Sequence, residues 1–504
     1  MNRREFLRLS SLVASASALA ACQPAYRALG GPVETLTANP AFPISPSDYS
    51  ALSRLTFGPR QSEIQRVAEI RLAGWIEEQL SPSSIDDAPL DWRLRGFDIL
   101  HQTADDIYTN GSQIFGGFNP EPALSDMKAI TLLRQVYSRR QLYEVMAAFW
   151  TDHFNISMDK EDVWYLKPGD DRDVIRPNVL GRFHDLLSAS AHSPAMLTYL
   201  DNQVNEARAP NENYARELME LHTLGVDGGY TQADVMELAR CFTGWTVKTS
   251  FWRGDFEFNP DFHDQAAKTV LGLRIEPGGQ LEAERLLEIL ADHPATARHL
   301  ATKLIRRFIA DDPPADLVDR AADAFLKTGG DIPAMLRVIL LDGLLSLGDA
   351  LPMKFKRPVD FVAASLRTLN AETDGGAGKD KTLHETLARL GQSPFQWPTP
   401  DGPPDTAPSW MGSLLPRWRF AAQLARNEIR GTVVDVDALL QLTGADGIES
   451  FIGSVTPLML GTPLDQDSAR RLADALRAEG AADFPETAQI IVAGILSSPA
   501  FQWK

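Results

Sequence analysis

Residues 211–245 read NENYARELMELHTLGVDGGYTQADVMELARCFTGW, and this stretch decides the fold that we expect for the chain. Asn211 can cap a first helix, because an Asn side-chain oxygen accepts hydrogen bonds from the free N–H groups of the first turn. Gly225 stands where that helix must end, since Gly adopts the left-handed conformation without strain. Thr231 followed by Asp234 resembles a capping box at the start of a second helix. The stretch therefore predicts two helices joined by a short glycine-rich turn.

The first of these helices combines an acid and an imidazole near one apolar face. At about 100° per residue, Tyr214, Leu218 and Leu221 share that face. His222 falls on the apolar side, and Glu217 borders the opposite edge of the face. The two groups are candidates for acid–base catalysis. They are also candidates for a hydrogen-bonded seam between helices, because structural networks hold buried polar groups too.

The helical pattern breaks after the second helix, and the residues that follow indicate a small β-hairpin near 255–272. An unpaired imidazole is costly to bury, so His222 needs a polar partner, and the hairpin loop offers His263 and Asp264. We therefore predict that Glu217, His222, His263 and Asp264 face one cleft. In an enzyme, Glu217 would be the general acid or base, and His222 or His263 would orient it or bind a metal.

Further side chains are candidates for substrate binding or metal ligation. We expect the substrate-binding set to comprise Asn213, Arg216, Trp245, Lys268, Trp397 and Trp410. The two last-named tryptophans lie in a Pro-rich and aromatic segment, where they could form a wall for a sugar ring. The sequence lacks the His-Glu-x-x-His and Glu-x-x-His patterns of helical metal sites. A metal site would need ligands from separate segments, with His153, Asp201 and His263 as candidates, and the sequence identifies no cofactor.

A predicted helix in the second half of the chain carries a basic run. Its members are Arg298, His299, Lys303, Arg306 and Arg307. Two interpretations remain open. The run is either a face for an anionic ligand or a solvated face that pairs with Asp311 and Asp312, and solvated faces are the more common of the two.

Several of these segments resemble a bacterial protein family. The stretch 211–245 is similar to the signature of domain-of-unknown-function family 1800. Other segments carry the same resemblance: FWTDHFNIS (149–157), RPNVLGRFHDLL (176–187), SPAMLTYLDN (193–202), FEFNPDFHDQAAKTVLG (256–272), HPATARHLATKLIRRF (293–308), KRPVDFVAASLR (356–367) and GQSPFQWPTPDG (391–402). The resemblance covers about residues 50–504 and implies a mostly helical protein without assigning an activity. It also suggests a partner from family 1501, whose members resemble alkaline phosphatases or sulfatases, because genes of the two families are often neighbours.

The first residues are typical of an exported lipoprotein. Arg3 and Arg4, followed by an apolar pair, match a twin-arginine signal, and the apolar region after them is too short to span a bilayer. Leu19-Ala20-Ala21-Cys22 is a lipobox, which predicts cleavage before Cys22 and a lipid on its thiol. An ordinary signal peptide cut at Ala-x-Ala is the alternative. We expect a periplasmic or outer-membrane protein that the Cys22 lipid attaches to the bilayer.

Composition excludes several classes of partner and site. The net charge of −18 predicts repulsion from nucleic acid and from anionic lipid surfaces. Of the two cysteines, Cys22 is the predicted lipid site, so Cys241 is left without a partner for an internal disulfide. Cys241 lies in the middle of a predicted helix, where we expect a buried structural thiol rather than a catalytic one.

The overall pattern predicts a mainly α-helical protein. A long helix is expected from about 125 to 153, and helical spacing continues through most of both halves. We expect a signal peptide at 1–21, a flexible tether at 22–46 and a single large multi-helix domain at 47–504. Possible subdomains of that domain are 47–275 and 276–504.

Three classes of function are compatible with these patterns. The first is a cell-envelope hydrolase or lyase that acts on a polysaccharide or its substituents through carboxylate and histidine acid–base chemistry. The second is a non-catalytic binding or scaffold partner of a family-1501 protein. The third is an oxidoreductase that receives a metal or cofactor before export. Converging acids and histidines in a pocket would favour the first class over the second.

Overall fold

The computed structural model describes residues 43–113, 119–250, 252–378, 382–478 and 484–504. Arg3, Arg4 and Cys22, on which the export and lipidation predictions rest, lie outside the described residues. No helix within these ranges is long and apolar enough to cross a membrane. The first described helix begins at Pro46, and the Ser45 hydroxyl caps it by accepting from the Asp48 N–H at 3.0 Å.

The architecture is mainly α-helical, as the sequence predicts, with small two-stranded sheets. The helices of the first half are α1 (Pro46–Leu55), α2 (Gln61–Gln79), α3 (Ala88–Leu94), α4 (Ala104–Gln113), α5 (Glu121–Tyr137), α6 (Gln141–His153), α7 (Val163–Gly169), α8 (Arg176–Asn178), α9 (Phe183–Ala191), α10 (Pro194–Tyr199), α11 (Asn213–Glu217) and α12 (Gln232–Cys241). π-helical turns follow α7 at Asp170–Ile175 and α11 at Leu218–His222.

The second half continues with α13 (Leu281–Ala291), α14 (Pro294–Phe308), α15 (Ala315–Lys327), α16 (Ile332–Arg337), α17 (Leu345–Leu347), α18 (Pro358–Thr368), α19 (Thr382–Arg389), α20 (Leu414–Ala425), α21 (Val436–Thr443), α22 (Ile448–Leu460), α23 (Gln466–Ala478), α24 (Phe484–Ser497) and α25 (Pro499–Gln502). A further π-helical segment, Val338–Leu344, joins α16 to α17. Pro occupies the first position of α14, where its missing N–H costs nothing.

The single long helix expected from 125 to 153 is wrong, because the chain breaks between α5 and α6. The Asp87 carboxylate stabilises the break: one oxygen accepts from the Arg139 N–H at 2.8 Å and the other from the Ser138 hydroxyl at 2.7 Å. The Asp87 side chain thus satisfies the Arg139 N–H and the Ser138 hydroxyl. In a continuous helix, that N–H would instead have bonded to a backbone carbonyl oxygen one turn earlier. Helical periodicity on both sides of the break concealed it.

The predicted hairpin is in fact two hairpins. Strand β1 (Trp245–Val247) pairs antiparallel with β2 (Phe256–Phe258), and β3 (Lys268–Val270) pairs with β4 (Leu273–Ile275). The second hairpin turns through Leu271 and Gly272, both at positive φ, which is the backbone of a tight two-residue turn. A third pair, β5 (Glu372–Thr373) with β6 (Thr432–Val433), is too short for sequence patterns to indicate.

One hydrophobic core runs through the described part of the chain. Its buried apolar side chains extend from Ala51 to Phe501, and they come from both sides of the possible subdomain boundary at 275. Helices α14 and α15 pack side by side, as do α20 and α24. The core places the carboxyl end of α6, the π turn after α11 and one face of α14 against one another.

Candidate functional site

The site is organised by the π turn Leu218–His222, which follows α11 directly. A π turn closes wider hydrogen-bonded rings than an α-helix, and such turns occur frequently at functional sites. Thr223 Oγ1 donates to the Leu218 carbonyl oxygen at 2.6 Å. The carbonyl oxygens of Leu221 and His222 accept instead from imidazoles of other segments. The sequence predicted a regular helix here, and the wider turn changes where Glu217 and His222 stand relative to each other.

Two histidines bind the π turn. His153 Nε2 lies 3.1 Å from the His222 carbonyl oxygen, and His299 Nε2 lies 3.0 Å from that of Leu221. Because a carbonyl oxygen only accepts, both Nε2 atoms must carry the proton and donate it. The second ring nitrogen of His153, Nδ1, is buried without a partner in the structure as described, and so is Nε2 of His222.

All three imidazoles are held neutral. Burial lowers the pKa of His222 to about 3, and the charges of Lys303 and His299 lower it further. Burial likewise lowers the pKa of His299 to about 4 and that of His153 well below its ordinary range. None of the three is a protonated imidazolium near neutral pH, so their roles are to orient groups and to donate or accept hydrogen bonds as neutral rings.

A loop crosses the carboxyl end of α6 and covers this region. We call residues 391–410 the Trp397 loop. Asn155 Nδ2 donates to the carbonyl oxygens of Trp397 at 3.1 Å and Thr399 at 2.7 Å. The Met158 N–H donates to the Phe395 carbonyl oxygen at 2.8 Å. These bonds hold the loop against the carboxyl end of α6 by its backbone.

Gly402 lets the Trp397 loop approach α6 closely. Its φ is +73°, and a Cβ atom there would lie 2.1 Å from the Asp152 carbonyl oxygen. Only Gly fits both the conformation and the space. Beneath the loop is a cavity of about 60 Å³, whose lining includes Asp152, Asn155, Arg357 and Trp397. Arg357 donates to the Asp152 carboxylate at 2.7 Å, which fixes that acid at the inner edge of the site.

Two carboxylates and a phenol share the outer side of the loop. Glu217 is partly buried, and within the described residues its carboxylate has no hydrogen bond or ion pair. Burial raises its pKa, and the charges of Glu220 and Asp401 raise it further. Asp401 is exposed and accepts from Thr399 Oγ1 at 2.5 Å. Burial, with the charges of Glu217 and Asp401, raises the pKa of Tyr199 to about 12.

Lys303 from α14 completes the group. It is partly buried, and burial lowers the pKa of its ammonium to about 8, against the opposing charges of Asp152 and Asp401. Lys303 in turn lowers the pKa of His222 and His299. We call this region the Glu217 cleft and define it by Tyr199, Glu217, His222, Lys303 and Asp401. It combines an acid of raised pKa, a second carboxylate, a partly buried ammonium of lowered pKa and a neutral imidazole.

The structure places His263 and Asp264 elsewhere, in what we call the Glu282 seam (His263, Lys268 and Glu282). His263 Nε2 lies 3.1 Å from one Glu282 oxygen, and Lys268 Nζ lies 2.5 Å from the other. Asp264 pairs with Arg240 at 2.7 Å. Among the hydrogen bonds of the described residues, none joins this seam to Glu217 or His222. The expectation of one cleft therefore fails, because the buried imidazole of His263 finds its acid on α13.

The remaining candidates are distributed between surface and core. Asn213 is exposed and donates to the Leu200 carbonyl oxygen, and Arg216 pairs with Glu212 at 2.9 Å. Trp245 was expected at a rim but is wholly buried between aromatic rings. Trp410 is also buried, at 6.1 Å from the partly exposed Trp397. Only Trp397 of the three tryptophans is placed to meet a ligand.

The metal candidates do not converge. Asp201 pairs with Lys160 at 2.5 Å, while His153 and His263 lie in the π-turn contact and the Glu282 seam. The described residues contain no group of three His, Cys, Asp or Glu side chains that could hold a metal ion. Cys241 is a buried free thiol, as expected, and burial raises its pKa to about 12. A thiol of that pKa is a poor nucleophile.

Sequence reasoning missed Tyr199, Asp401 and Asp152 as site residues and left Lys303 undecided. Each lies in a segment that carries the family resemblance. The expectation that these segments lie close together in the fold was therefore the signal that could have identified the four residues. Six of these segments meet here: 149–157, 193–202, 211–245, 293–308, 356–367 and 391–402.

Fold and site thus define a mainly α-helical protein with a cluster of polar side chains beside a loop that Gly402 fits against α6. The chain matches the family model described as "Protein of unknown function (DUF1800)" over residues 50–503 and belongs to that family. No curated protein matches the chain. No solved structure matches it either.

Proposed function

We propose that the protein is a hydrolase or lyase that acts on a polysaccharide or its substituents in the Glu217 cleft. The observation that supports this most is the Glu217 carboxylate itself. It is partly buried, it has no hydrogen bond or ion pair among the described residues, and its pKa is raised by burial and by two neighbouring acids. An acid kept protonated to a higher pH, and not used to hold the fold, is suited to general acid catalysis.

The other groups of the cleft have consistent roles in this proposal. In hydrolysis of a glycosidic bond, Glu217 donates a proton to the leaving oxygen as its bond to the sugar carbon breaks, and Asp401 takes a proton from the water whose oxygen bonds to that carbon. The partly exposed ring of Trp397 stacks on a sugar. His222, which is neutral, accepts a hydrogen bond and does not exchange a proton. The reaction needs no redox step in this form.

The test compares Glu217 with an exposed glutamate outside the site. We expect Glu217→Gln to lower kcat/KM on a cleaved polysaccharide by about 10²- to 10⁴-fold, since this is the usual contribution of a general acid. Glu276→Gln, at the end of strand β4 and paired within the described residues only with the exposed Arg274, is the control and should change it by less than about threefold. Substrates are found by screening envelope polysaccharides for new reducing ends or unsaturated products. Equal activity of the two variants would contradict the proposal, and binding without any turnover would favour a scaffold role.

We also propose that the protein works at the cell envelope, exported through Arg3 and Arg4 and anchored by a lipid on Cys22. The twin-arginine and lipobox patterns support this. Replacing both arginines by lysine should retain the protein in the cytoplasm, and Cys22→Ser should release it from membranes. Metabolic labelling that finds no lipid on the wild-type protein would contradict the anchor.

A further inference from the structure

The cavity beneath the Trp397 loop lies between the faces of two helices. On α5, Thr131 and Gln135 line it at a spacing of four residues, and on α6 the lining residues recur at helical spacing from Glu144 to Asp152. Residues at such spacings share one face of a helix. Trp397 from the loop also lines the cavity and is partly exposed, whereas Gln135 is only 4 % exposed. The cavity therefore leads from the surface of the protein into its interior.

The side chain of Gln135 is buried in this lining without a hydrogen bond. Its Oε1 atom is buried and unpartnered, and within the described residues no hydrogen bond reaches its Nε2 atom. The buried Gln79 shows the usual state of such a group: its Nε2 donates to the Arg139 carbonyl oxygen at 3.0 Å, and its Oε1 accepts from the Leu142 N–H at 3.2 Å. Because a buried amide without partners is unfavourable, Gln135 is suited to bond to a group from outside the chain.

A second glutamine adds free donors to the cavity. Gln392 is buried and lines the cavity, and its Oε1 accepts from the Val359 N–H at 3.1 Å. Because a backbone N–H only donates, the side-chain atom that faces Val359 must be the oxygen, so the orientation of this amide is fixed. Its Nε2 then has two N–H groups and no hydrogen bond among the described residues. The lining thus offers a donor from Gln392 and an amide from Gln135 that can both donate and accept.

The charged side chains of the lining neutralise one another. Arg176 donates to both oxygens of Glu144 at 3.1 Å and to the Asp171 carboxylate at 3.0 Å. Arg357 donates to the Asp152 carboxylate at 2.7 Å. Each acid and each guanidinium of the lining is therefore held in an ion pair. The lining favours an uncharged occupant, since a further ion would have to be buried without a counter-charge of its own.

Size and apolar surface restrict the occupant further. The cavity of about 60 Å³ has room for about four to six non-hydrogen atoms, because one water molecule needs about 10–15 Å³. That is less than a complete sugar ring. The lining also contains apolar side chains against which a methyl group would pack favourably, among them Ala147, Ala148, Val359 and Phe395. An acetamido group has four non-hydrogen atoms and no charge, and it combines a carbonyl acceptor, an N–H donor and a methyl group.

We propose that this cavity is a binding site for the acetamido group of an N-acetylated sugar. The carbonyl oxygen and the N–H of the group bond to the amides of Gln392 and Gln135, and its methyl group packs against the apolar side chains. That a sugar carries the group rests on the proposed function; that the group is an uncharged amide rests on the cavity. Trp397, which is partly exposed and lines the same cavity, is placed to contact the sugar ring outside it.

Calorimetry on the full chain measures the selectivity of the cavity, with Glu217→Gln included to prevent turnover. The probes are a trisaccharide of N-acetylglucosamine and trisaccharides of the same linkage built from glucose and from glucosamine. We expect the N-acetylated probe to bind about tenfold or more tightly than the glucose probe, since hydrogen bonds to two amides and a buried methyl group distinguish them. The glucosamine probe should bind no more tightly than the glucose probe, because its ammonium would find no counter-charge.

Two variants connect this preference to the cavity. Gln135→Leu removes the amide at similar volume and should abolish the preference, and Ala148→Leu should do the same by filling the cavity while both amides remain. Gln441→Leu, at an exposed position of α21, is the control and should change nothing. Gln135→Leu should not lower the melting temperature, because the side chain has no bond to lose. Gln79→Leu should lower it, since two buried backbone groups lose their partner.

Equal binding of the N-acetylated and glucose probes would overturn the inference, as would a preference that survives Gln135→Leu. If no saccharide binds, a crystal of the protein soaked with acetamide decides. Acetamide beside Gln135 would leave the cavity assignment standing and overturn the proposed function, whereas ordered water alone would overturn the assignment. Cleavage of a polysaccharide that requires Glu217 but shows no preference for N-acetylated units would overturn this inference and leave the proposed function standing.

Discussion

The Glu217 cleft and the Glu282 seam contain the same three kinds of side chain in opposite states. Each combines a glutamate, a histidine and a lysine. In the seam every group is bonded: Glu282 accepts from His263 and Lys268 and also from the Gly278 and Gly279 N–H groups. Such complete satisfaction is what a buried polar network needs in order to stabilise a fold.

In the cleft, the side chains of Glu217, His222 and Lys303 have no hydrogen bond to any part of the chain that the structure describes. The two regions teach that residue type does not distinguish a catalytic group from a structural one. The bonding state does, because a group already satisfied by the fold has little left to offer a ligand. The predictions below test this difference, from the largest expected effect on stability to the smallest.

Glu282→Gln should destabilise the protein by about 3–5 kcal/mol, because it leaves a buried ammonium without its counter-charge. Glu217→Gln should change the free energy of unfolding by no more than about 0.5 kcal/mol. Denaturant unfolding of both variants measures the contrast. Comparable losses in the two would show that Glu217 is also part of a structural seam, and the proposed catalytic role would lose its support.

Gly402→Ala should cost up to about 3 kcal/mol, since Ala at a positive φ is strained and its Cβ would meet the Asp152 carbonyl oxygen. Because Asp401 and Trp397 are carried by the same loop, activity should fall as well. Gly412→Ala is the control, as its added Cβ meets nothing within 4 Å. A stable, active Gly402→Ala protein would show that the loop is not fixed against α6.

The comparison also explains how far the sequence could predict the molecule. Periodicity and caps predict the mainly α fold, and the Thr231–Asp234 capping box forms as expected, with Asp234 accepting from the Thr231 N–H at 2.8 Å. Asn211 accepts from the Asn213 N–H at 2.9 Å, although the helix begins one residue later than a cap at Asn211 would place it. Helix caps and helical periodicity depend on residues that are close together in the sequence, so the sequence alone is enough to predict them.

The site depended on contacts that no local pattern contains. Glu217 and His222 were identified from the amphipathic face of the predicted first helix, and the candidate site is defined around them. Their true neighbours, Lys303 and Asp401, come from α14 and a distant loop. His263 was assigned to the cleft because it needed a polar partner, and Glu282 supplied that partner from the other side. The sequence indicated that the buried imidazole of His263 needs a polar partner. It could not indicate which of several residues, far apart in the chain, supplies that partner.

Acid should weaken the fold through His222. Its pKa is about 3 in the folded protein and 6.5 ordinarily, so the unfolded chain binds more protons between these values. Stability is therefore lost as the pH falls from 6.5 towards 3, by roughly 2 kcal/mol over the first one and a half pH units. In His222→Leu this part of the loss should disappear, as measured by urea unfolding at a series of pH values. An unchanged acid slope would mean that His222 is protonated freely and has access to solvent.

Lys303→Met should have the smallest effect on stability, within about 0.5 kcal/mol of the wild type, because it removes a partly exposed charge that has no hydrogen bond or ion pair within the described residues. Lys268→Met is the matched variant from the seam. It deprives Glu282 of its ammonium and should cost several times as much, about 3 kcal/mol or more. The sign of the Lys303 result is informative in itself, since a structural lysine cannot be removed without loss. A cost of about 2 kcal/mol or more for Lys303→Met would show that the ammonium has a partner in the folded chain.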